Sequence, residues 1–129
     1  IETLLKMTNN ESTQIITQEF IEDIYEGDFR ILIIHGKPFK KTLARIPQGD
    51  SFKGNLAAGG KGVVKDISDF QFEMASEIGD FLIQKDINFA GIDVIGNFLT
   101  EINVTSPTCA RQILDQSGEN PIQEYFEKL

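Results

Sequence analysis

Residues 93–108 read DVIGNFLTEINVTSPT, and this stretch decides what fold and what kind of site we expect. Apolar residues lie on both sides of Gly96-Asn97, a pair that favours a tight turn, so the stretch predicts a β-hairpin. Glu101 and Asn103 are two residues apart and therefore share one face of the second strand. Whether Asp93 lies on that same face depends on the length of the turn.

The length of the hairpin loop decides whether the three oxygen-bearing side chains converge. A two-residue loop would send Glu101 to the face opposite Asp93. A three-residue loop, residues 96–98, would pair Ile95 with Leu99 and set Asp93 opposite Glu101, with Cβ atoms about 5 Å apart. We predict the three-residue loop and a site for a hard cation such as Mg²⁺. A two-residue turn would remove this argument, and spacing alone favours a simple solvated hairpin face.

The length and composition indicate one ordinary domain. The chain has 129 residues, of which 40% are hydrophobic and 25% charged, enough for a single core. We expect an α+β fold, an antiparallel sheet with helices packed on one face, away from the site. No apolar run approaches the roughly 20 residues of a membrane helix, and no signal peptide is visible, so we expect no membrane partner. A single cysteine fits a reducing cytoplasm.

The charge is unevenly distributed along the chain. The formal net charge is -8, which argues against a nucleic-acid partner. Between residues 37 and 65, however, seven basic residues accompany one acidic residue. This basic, glycine-rich stretch suggests a local site for phosphates or carboxylates. A basic solvated hairpin is an equally good explanation on charge alone.

Hydrophobic periodicity places the other elements. Ser68 with Gln71 forms a predicted capping box that opens a core helix reaching about residue 85. Thr105-Ser106-Pro107 predicts the start of another helix. His35, the only histidine, is expected to be exposed on a hairpin turn. The remaining predictions are an opening helix, a buried strand at residues 13–21, strands at 29–34 and 39–46 joined at 35–38, and a last helix at 122–129.

Two long runs resemble a known family. GIDVIGNFLTEINVTSPT at residues 91–108 resembles the carboxyl-terminal segment of bacterial glutathione synthetases, members of the ATP-grasp superfamily of ligases. LARIPQGDSFKGNLAAGGKG at residues 43–62 resembles the same family's glycine-rich active-site loop. The resemblance implies that residues 1–129 form a single domain, the carboxyl-terminal portion of an ATP-grasp ligase, with a lid at residues 47–62. It also implies that upstream domains are absent here and that the isolated fragment is inactive.

The resemblance implies a reaction and its reactants. The parent would be a glutathione synthase, an ATP-dependent ligase that joins γ-glutamylcysteine to glycine through an acyl phosphate. Its cofactors would be ATP and Mg²⁺, with Mn²⁺ as an alternative, and we expect a homo-oligomer for the full-length form. A closed lid would keep water from the acyl phosphate. Two alternatives remain open, namely another ATP-grasp carboxylate-amine ligase and a non-catalytic module that binds Mg-nucleotide.

The resemblance also implies roles for individual residues. Arg30 and Arg45 would be catalytic, since a guanidinium suits carboxylates and a transferring phosphoryl group. Asp93, Glu101 and Asn103 would hold the metal. The nucleotide would be bound by three features. A hinge with an apolar wall corresponds to Gln18, Glu19, Phe20 and Ile21, and a residue near the ribose corresponds to Asp28. The lid would contribute Asn55, Gly59 and Gly60.

Overall fold

The computed structural model describes residues 1–49, 54, 56 and 59–129. Five strands form one antiparallel sheet in the order β3-β2-β1-β4-β5. The strands are β1 (Asp28–Ile34), β2 (Lys37–Ile46), β3 (Lys61–Asp66), β4 (Phe89–Ile95) and β5 (Phe98–Asn103). The helices are α1 (Glu2–Met7), α2 (Asp69–Ile83), α3 (Ala110–Ser117) and α4 (Pro121–Glu127), with a 3-10 turn at Glu22–Tyr25. This architecture confirms the α+β class with an antiparallel sheet.

The central strand β1 divides the core into two halves. Its run of apolar residues is buried on both faces, because successive side chains of a strand point to opposite sides. Ile31 and Ile33 pack with the α2 residues Ala75 and Leu82. The neighbours of these isoleucines on the strand, Leu32 and Ile34, pack with Ile113 of α3 and Tyr125 of α4. The helices expected on one face therefore divide in the structure, with α2 on one face and α3 and α4 on the other.

The β1–β2 hairpin is tighter than the sequence suggests. Ile34 pairs with Lys37, so the turn consists of His35 and Gly36 alone. Both turn residues have positive φ, 47° and 77°, as a turn of type I′ requires. His35 lies in the turn as predicted, but the prediction that its side chain is exposed is wrong. Its ring is half-buried and stacks on Tyr125 at 5.0 Å between centroids, and its Nε2 lies 2.9 Å from the Tyr125 carbonyl oxygen.

Two predicted helix starts have different outcomes. The capping box at Ser68 and Gln71 is confirmed, because each side chain accepts a hydrogen bond from the backbone N–H of the other. The predicted start at residues 105–107 is wrong, since α3 begins at Ala110. Asn103 is the reason: its Oδ1 accepts from the backbone N–H of residues 105 and 106 at 3.2 Å each. These bonds hold the chain in an Asx-type loop that delays the helix.

The predicted strand at residues 13–21 is not a strand in the structure. The segment has no regular secondary structure and pairs with no strand of the described chain, and Ile16 is 88% exposed. An apolar run becomes a buried strand only where a sheet edge receives it, and periodicity alone cannot supply that partner. Among the described residues, no helix is both long enough and apolar enough to cross a bilayer.

Candidate functional site

The β4–β5 hairpin turns on two residues. Ile95 pairs with Phe98, so the loop consists of Gly96 and Asn97, and the prediction of a three-residue loop is wrong. The ladder then shifts between Asp93 and Val94, because β5 contains one extra residue, Thr100, that opposes no residue of β4. Such a bulge re-aims the side chains that follow it.

The bulge restores the pairing that the loop was expected to provide. Beyond Thr100, Asp93 lies opposite Glu101. The Thr100 hydroxyl donates to the Asp93 carbonyl oxygen at 3.1 Å, which ties the extra residue to the neighbouring strand. The argument from loop length therefore fails, while the two carboxylates are aligned by a different route.

Asp93 is the centre of a buried cluster of ion pairs. Arg30 lies opposite it on β1, and both residues are only 4% exposed. The Arg30 guanidinium donates from Nε to Asp93 Oδ1 and from Nη2 to Oδ2, the latter at 2.8 Å. Two parallel bonds of this kind fix the orientation of both planar groups. The Arg30 Nη1 nitrogen is buried without a hydrogen-bond partner among the described residues.

Arg45 joins the same cluster from β2. Its Nη2 lies 2.8 Å from Asp93 Oδ2 and also donates to Asp28 Oδ2. Asp28 faces Arg45 directly across the β1–β2 ladder. Charges without partners are costly to bury, so burying two arginines requires acids held this close. We call Asp28, Arg30, Arg45 and Asp93 the ion-pair cluster.

The protonation of the cluster follows from burial and pairing. Burial acts to raise the pKa of Asp93, but hydrogen bonds and charges from Arg30 and Arg45 outweigh it and hold the pKa below its ordinary value. For Asp28 burial wins, and its pKa is raised despite Arg45. The pKa values of the neighbouring acids Asp28 and Asp93 are therefore shifted in opposite directions, and perturbed pKa values of this kind are typical of functional sites.

The other two predicted metal ligands lie at the edge of the cluster. The Glu101 side chain is 54% exposed, and its Oε1 is 3.9 Å from Arg30 Nη2. Asn103 ends β5, and its Oδ1 already accepts the two backbone bonds of the following loop. The part of the chain that the structure describes contains no group of three or more His, Cys, Asp or Glu residues placed to hold a metal ion. Asp93 and Glu101 come together, but a site would also need amide or phosphate oxygens.

The predicted adenine hinge borders a cavity. Residues 18–23 lie beside Phe98, Leu99 and Thr100 of β5, and together they line a space of about 460 Å³. Phe20 stands in the wall of this cavity and meets Tyr25 edge-on at 6.2 Å. Phe20, Phe98 and Leu99 give the cavity the apolar walls that a flat heterocycle requires. Because Thr100 lines the cavity and its hydroxyl bonds to the backbone of Asp93, the cavity lies beside the ion-pair cluster.

The predicted lid meets the cluster at Gly54. A Cβ on Gly54 would lie 2.7 Å from the Arg45 carbonyl oxygen, so only glycine fits there. Leu56 packs with the core cluster that includes Leu43 and Ile113, which anchors the loop more firmly than its composition suggests. Of the predicted lid contacts, Gly59 is exposed, Gly60 is half-buried, and Asn55 lies outside the described residues.

Several supporting residues could not be found from sequence reasoning. Thr42 is fully buried, and its hydroxyl donates to the Arg30 carbonyl oxygen at 2.8 Å. At Gly91 a Cβ would lie 2.9 Å from Pro107 and 3.0 Å from Arg30, so glycine leaves room for the arginine. At Gly96 a Cβ would lie 2.0 Å from the Asp23 carboxylate, which joins the hinge to the hairpin.

The fold and the ion-pair cluster define the class of protein. It is an α+β domain with one antiparallel sheet, in which a buried arginine–aspartate site lies beside a cavity large enough for a heterocycle. The family model described as prokaryotic glutathione synthetase, ATP-grasp domain, matches residues 1–118. Because this match covers most of its length, the chain belongs to the prokaryotic glutathione synthetase ATP-grasp family.

Curated relatives are similar over nearly the whole chain. A glutathione synthetase from Nitrosomonas europaea is 50% identical over 120 residues, covering 93% of this chain and 37% of the relative. Glutathione synthetases from Pseudomonas aeruginosa and Xylella fastidiosa are 48% and 45% identical, covering 90% and 95% of this chain. The chain spans 36% and 39% of these last two relatives, so less than two fifths of each is represented here.

Proposed function

We propose that the chain is the carboxyl-terminal part of an ATP-dependent ligase that forms glutathione from γ-glutamylcysteine and glycine in the cytoplasm. The family match and the names of the relatives support this activity. The observation that carries it is the ion-pair cluster, in which Arg30 and Arg45 converge on Asp93 opposite Glu101. Homo-oligomeric assembly of the full-length protein is part of the proposal.

The cavity beside the cluster would take the adenine of ATP. Residues 18–21 would offer backbone donors and acceptors along one side, with Phe20 and Leu99 as apolar walls. The polyphosphate would then run toward the cluster, since Thr100 borders the cavity and bonds to Asp93. This placement would bring the γ-phosphoryl group near the two arginines.

Mg²⁺ or Mn²⁺ fits the donor chemistry at this hairpin. Two carboxylates and one amide provide only oxygen ligands, which hard cations prefer. Glu101 is accessible, and Asn103 Oδ1 accepts two backbone N–H bonds and the Thr105 hydroxyl at 3.5 Å, so it would exchange one of these for a metal. Asp93 Oδ2 already faces nitrogens of both arginines, whereas Oδ1 accepts one arginine bond and keeps a further lone pair for a metal. When bound, the metal would neutralise polyphosphate charge and align the γ-phosphoryl group.

The two arginines would stabilise charge as the phosphoryl group moves. In the proposed reaction, a carboxylate of γ-glutamylcysteine takes the γ-phosphoryl group and ADP leaves. The amine of glycine then attacks the acyl carbon, and inorganic phosphate departs as the amide bond forms. Arg30 and Arg45 are fully charged guanidinium groups held rigidly, so they need little reorganisation when charge develops. Gly54 seats the lid backbone against Arg45, where it would exclude water.

The first test measures phosphate release from ATP by the full-length protein. γ-Glutamylcysteine and glycine are supplied together and singly, and we expect release to require both. Release with a different amine or carboxylate would assign another ATP-grasp ligase. Nucleotide binding without release for any acceptor would assign a non-catalytic module. We expect the 129-residue chain by itself to form no glutathione.

A second test addresses the metal ligands. Glu101→Gln and Asp93→Asn in the full-length protein should each lower Mg²⁺-dependent ATP affinity by about tenfold or more, because one anionic ligand is lost. Glu77→Gln is the matched control, since Glu77 is exposed on α2, which covers the opposite face of the sheet. Unchanged Mg²⁺-dependent affinity in both hairpin variants would refute the metal assignment.

A further inference from the structure

Gln116 of α3 binds the outer edge of β3. The strand β3 is last in the sheet order, so on one side its backbone N–H and C=O groups face no other strand of the described sheet. The Gln116 side chain meets two of these groups. Its Oε1 accepts from the Val64 N–H at 3.0 Å, and its Nε2 donates to the Gly62 carbonyl oxygen at 3.1 Å. The carboxamide therefore forms two bonds of the kind that a further strand would form there.

These two bonds fix how α3 lies on the sheet. Cys109, at the start of the helix, and Ile113 are both buried in the apolar core that includes Leu43. They are four residues apart and so lie on one line along the helix. Apolar contacts are non-directional, so by themselves they allow the helix to roll about that line. Gln116 follows Ile113 by three residues on the same side, and its directional bonds to β3 oppose the roll.

The start of α3 is joined to the loop that contains a proposed metal ligand. The loop at residues 103–109 connects β5 to α3. Asn103 Oδ1 accepts from the backbone N–H groups of residues 105 and 106 at 3.2 Å each. A Cβ on Gly91 would lie 2.9 Å from Pro107, so the loop packs closely on β4 beside the ion-pair cluster. A roll of α3 would strain both sets of contacts.

We propose that Gln116 is a positioning residue, which holds α3 against β3 and thereby fixes the loop at residues 103–109 so that Asn103 is in place for the metal. This inference rests on the proposed function, because it assigns Asn103 to Mg²⁺. Gln116 acts through the helix and the loop rather than by contact with the metal. Since a metal site needs its ligands held in a defined orientation, a displaced Asn103 lowers metal affinity.

Gln116→Met in the full-length protein tests the inference, because methionine keeps a similar length but forms neither bond. Gln123→Met on α4 is a matched control, since the same substitution there also removes a side-chain hydrogen bond, the one to Glu127 at 2.7 Å. Asp66→Asn is a second control. Asp66 ties the other end of β3 through an ion pair with Lys41 at 2.7 Å, and its side chain is 79% exposed, so this variant loosens β3 without removing Gln116.

Amide hydrogen exchange in the ligand-free protein is the first measurement. We expect the Val64 amide to exchange about fivefold faster or more in Gln116→Met, because it loses its bond to Gln116. The amides of Thr105 and Ser106, which bond to Asn103, should also exchange about threefold faster or more. The two controls should leave these loop amides unchanged. Faster exchange at Val64 alone would overturn the proposal, since Gln116 would then cover only the strand edge.

Metal affinity is the second measurement. Mn²⁺ binding to the full-length protein with a non-hydrolysable ATP analogue is followed by electron paramagnetic resonance. We expect the dissociation constant for Mn²⁺ to rise about threefold or more in Gln116→Met and to stay unchanged in both controls. An unchanged constant in Gln116→Met would overturn the proposal.

Gln116→Glu serves in the same comparisons if Gln116→Met does not fold. A glutamate side chain can still accept from the Val64 N–H, but its carboxylate cannot donate to the Gly62 carbonyl oxygen. We therefore expect changes in the same direction and of smaller size. Wild-type rates at Thr105 and Ser106 in this variant would count against the proposal.

The two measurements distinguish failure of this inference from failure of the proposed function. Amide exchange requires no metal, nucleotide or turnover. If the wild type binds no Mn²⁺, the metal assignment of the proposed function fails, and the exchange rates still decide whether Gln116 fixes the loop. Unchanged exchange at Thr105 and Ser106 refutes positioning even if the wild type binds Mn²⁺ and forms glutathione.

Discussion

At the scale of single residues, the site depends on acids that neutralise buried arginines. Asp93 has a lowered pKa and accepts bonds from Arg30 and Arg45, whereas Asp28 has a raised pKa and bonds to Arg45 alone. The lowered pKa of Asp93 means that its ionised form stabilises the fold above the pKa of the unfolded chain, and this contribution is lost as pH falls through the folded pKa. The raised pKa of Asp28 acts in the opposite sense, since its contribution is lost as pH rises through its folded pKa.

Asp93→Asn should weaken the fold at neutral pH and flatten its response to acid. Removing the charge leaves two buried guanidinium groups short of a counter-ion, which costs about 3–5 kcal/mol at pH 7. Below the ordinary aspartate pKa of about 3.9, the wild type should lose stability more steeply than the variant. Urea unfolding between neutral and acid pH measures both effects. A variant as acid-sensitive as the wild type would contradict the assignment, and Asp66→Asn is the control.

Thr100→Val tests the bulge that aligns Asp93 with Glu101. The change keeps the shape of the side chain but removes the hydroxyl that donates to the Asp93 carbonyl oxygen. We expect a loss of about 1 kcal/mol in the free energy of unfolding, the usual value for one hydrogen bond. Thr17→Val on the exposed segment before β1 is the control. If the two valine variants unfold alike, the hydroxyl does not hold the bulge.

At the scale of elements, the type of most helices and strands was predictable from the sequence, whereas several loops and strand pairings were not. The α2 capping box, the strands β1 and β2 and the β4–β5 hairpin were all predictable, because period and turn residues are local signals. The loop at residues 105–109 was not, since Asn103 bonds to its backbone in competition with the helix. The pairing of Asp28 with Arg45 was not predictable either, because an irregularity between Ile31 and Ile33 shifts the β1–β2 register. Register shifts depend on packing across the whole sheet.

Gly79→Ala should disturb the packing of α2 against the β1–β2 turn. A Cβ at this position would lie 2.1 Å from the Gly36 carbonyl oxygen, a backbone atom that cannot rotate away. Overpacking of this kind costs about 1–3 kcal/mol, despite the better helix propensity of alanine. Glu77→Ala, exposed on the same helix, is the control and should be nearly neutral. Thermal unfolding provides the comparison, and a Gly79→Ala variant as stable as wild type would show that the turn yields.

At the scale of the whole molecule, stability and chemistry occupy different parts of one sheet. The core on the α2 face and the core under α3 and α4 are both apolar, and the ion-pair cluster shares the second of these faces. The sequence located the cluster's residues through family resemblance, but their contacts follow from the sheet order, which brings β2, β1 and β4 together. The roles of these residues in binding and catalysis stay predictions until the variants are measured.

The amino-terminal segment should contribute little to folding of the 129-residue chain. The helix α1 has no buried residue, and its ion pair between Glu2 and Lys6 is exposed. Deletion of residues 1–12 should therefore change the free energy of unfolding by less than about 0.5 kcal/mol. Deletion of residues 121–129 is the contrasting variant, because it removes fully buried Pro121 and the Tyr125 contact with the core. Equal losses from the two deletions would contradict this division.

Because β5 contains the extra residue Thr100, the number of residues between Asp93 and Glu101 does not by itself determine the geometry of the hairpin. A three-residue turn with a regular ladder, and a two-residue turn with a bulge, contain the same number of residues between the two acids. In an alignment of homologues both hairpins would occupy identical columns without a gap, yet residues 98–100 would point to different sides. The tip of the hairpin can therefore exchange one geometry for the other over evolutionary time while the acids stay in phase. A homology model built directly from such an alignment would then place the side chains that line the adjoining cavity on the wrong face of the hairpin.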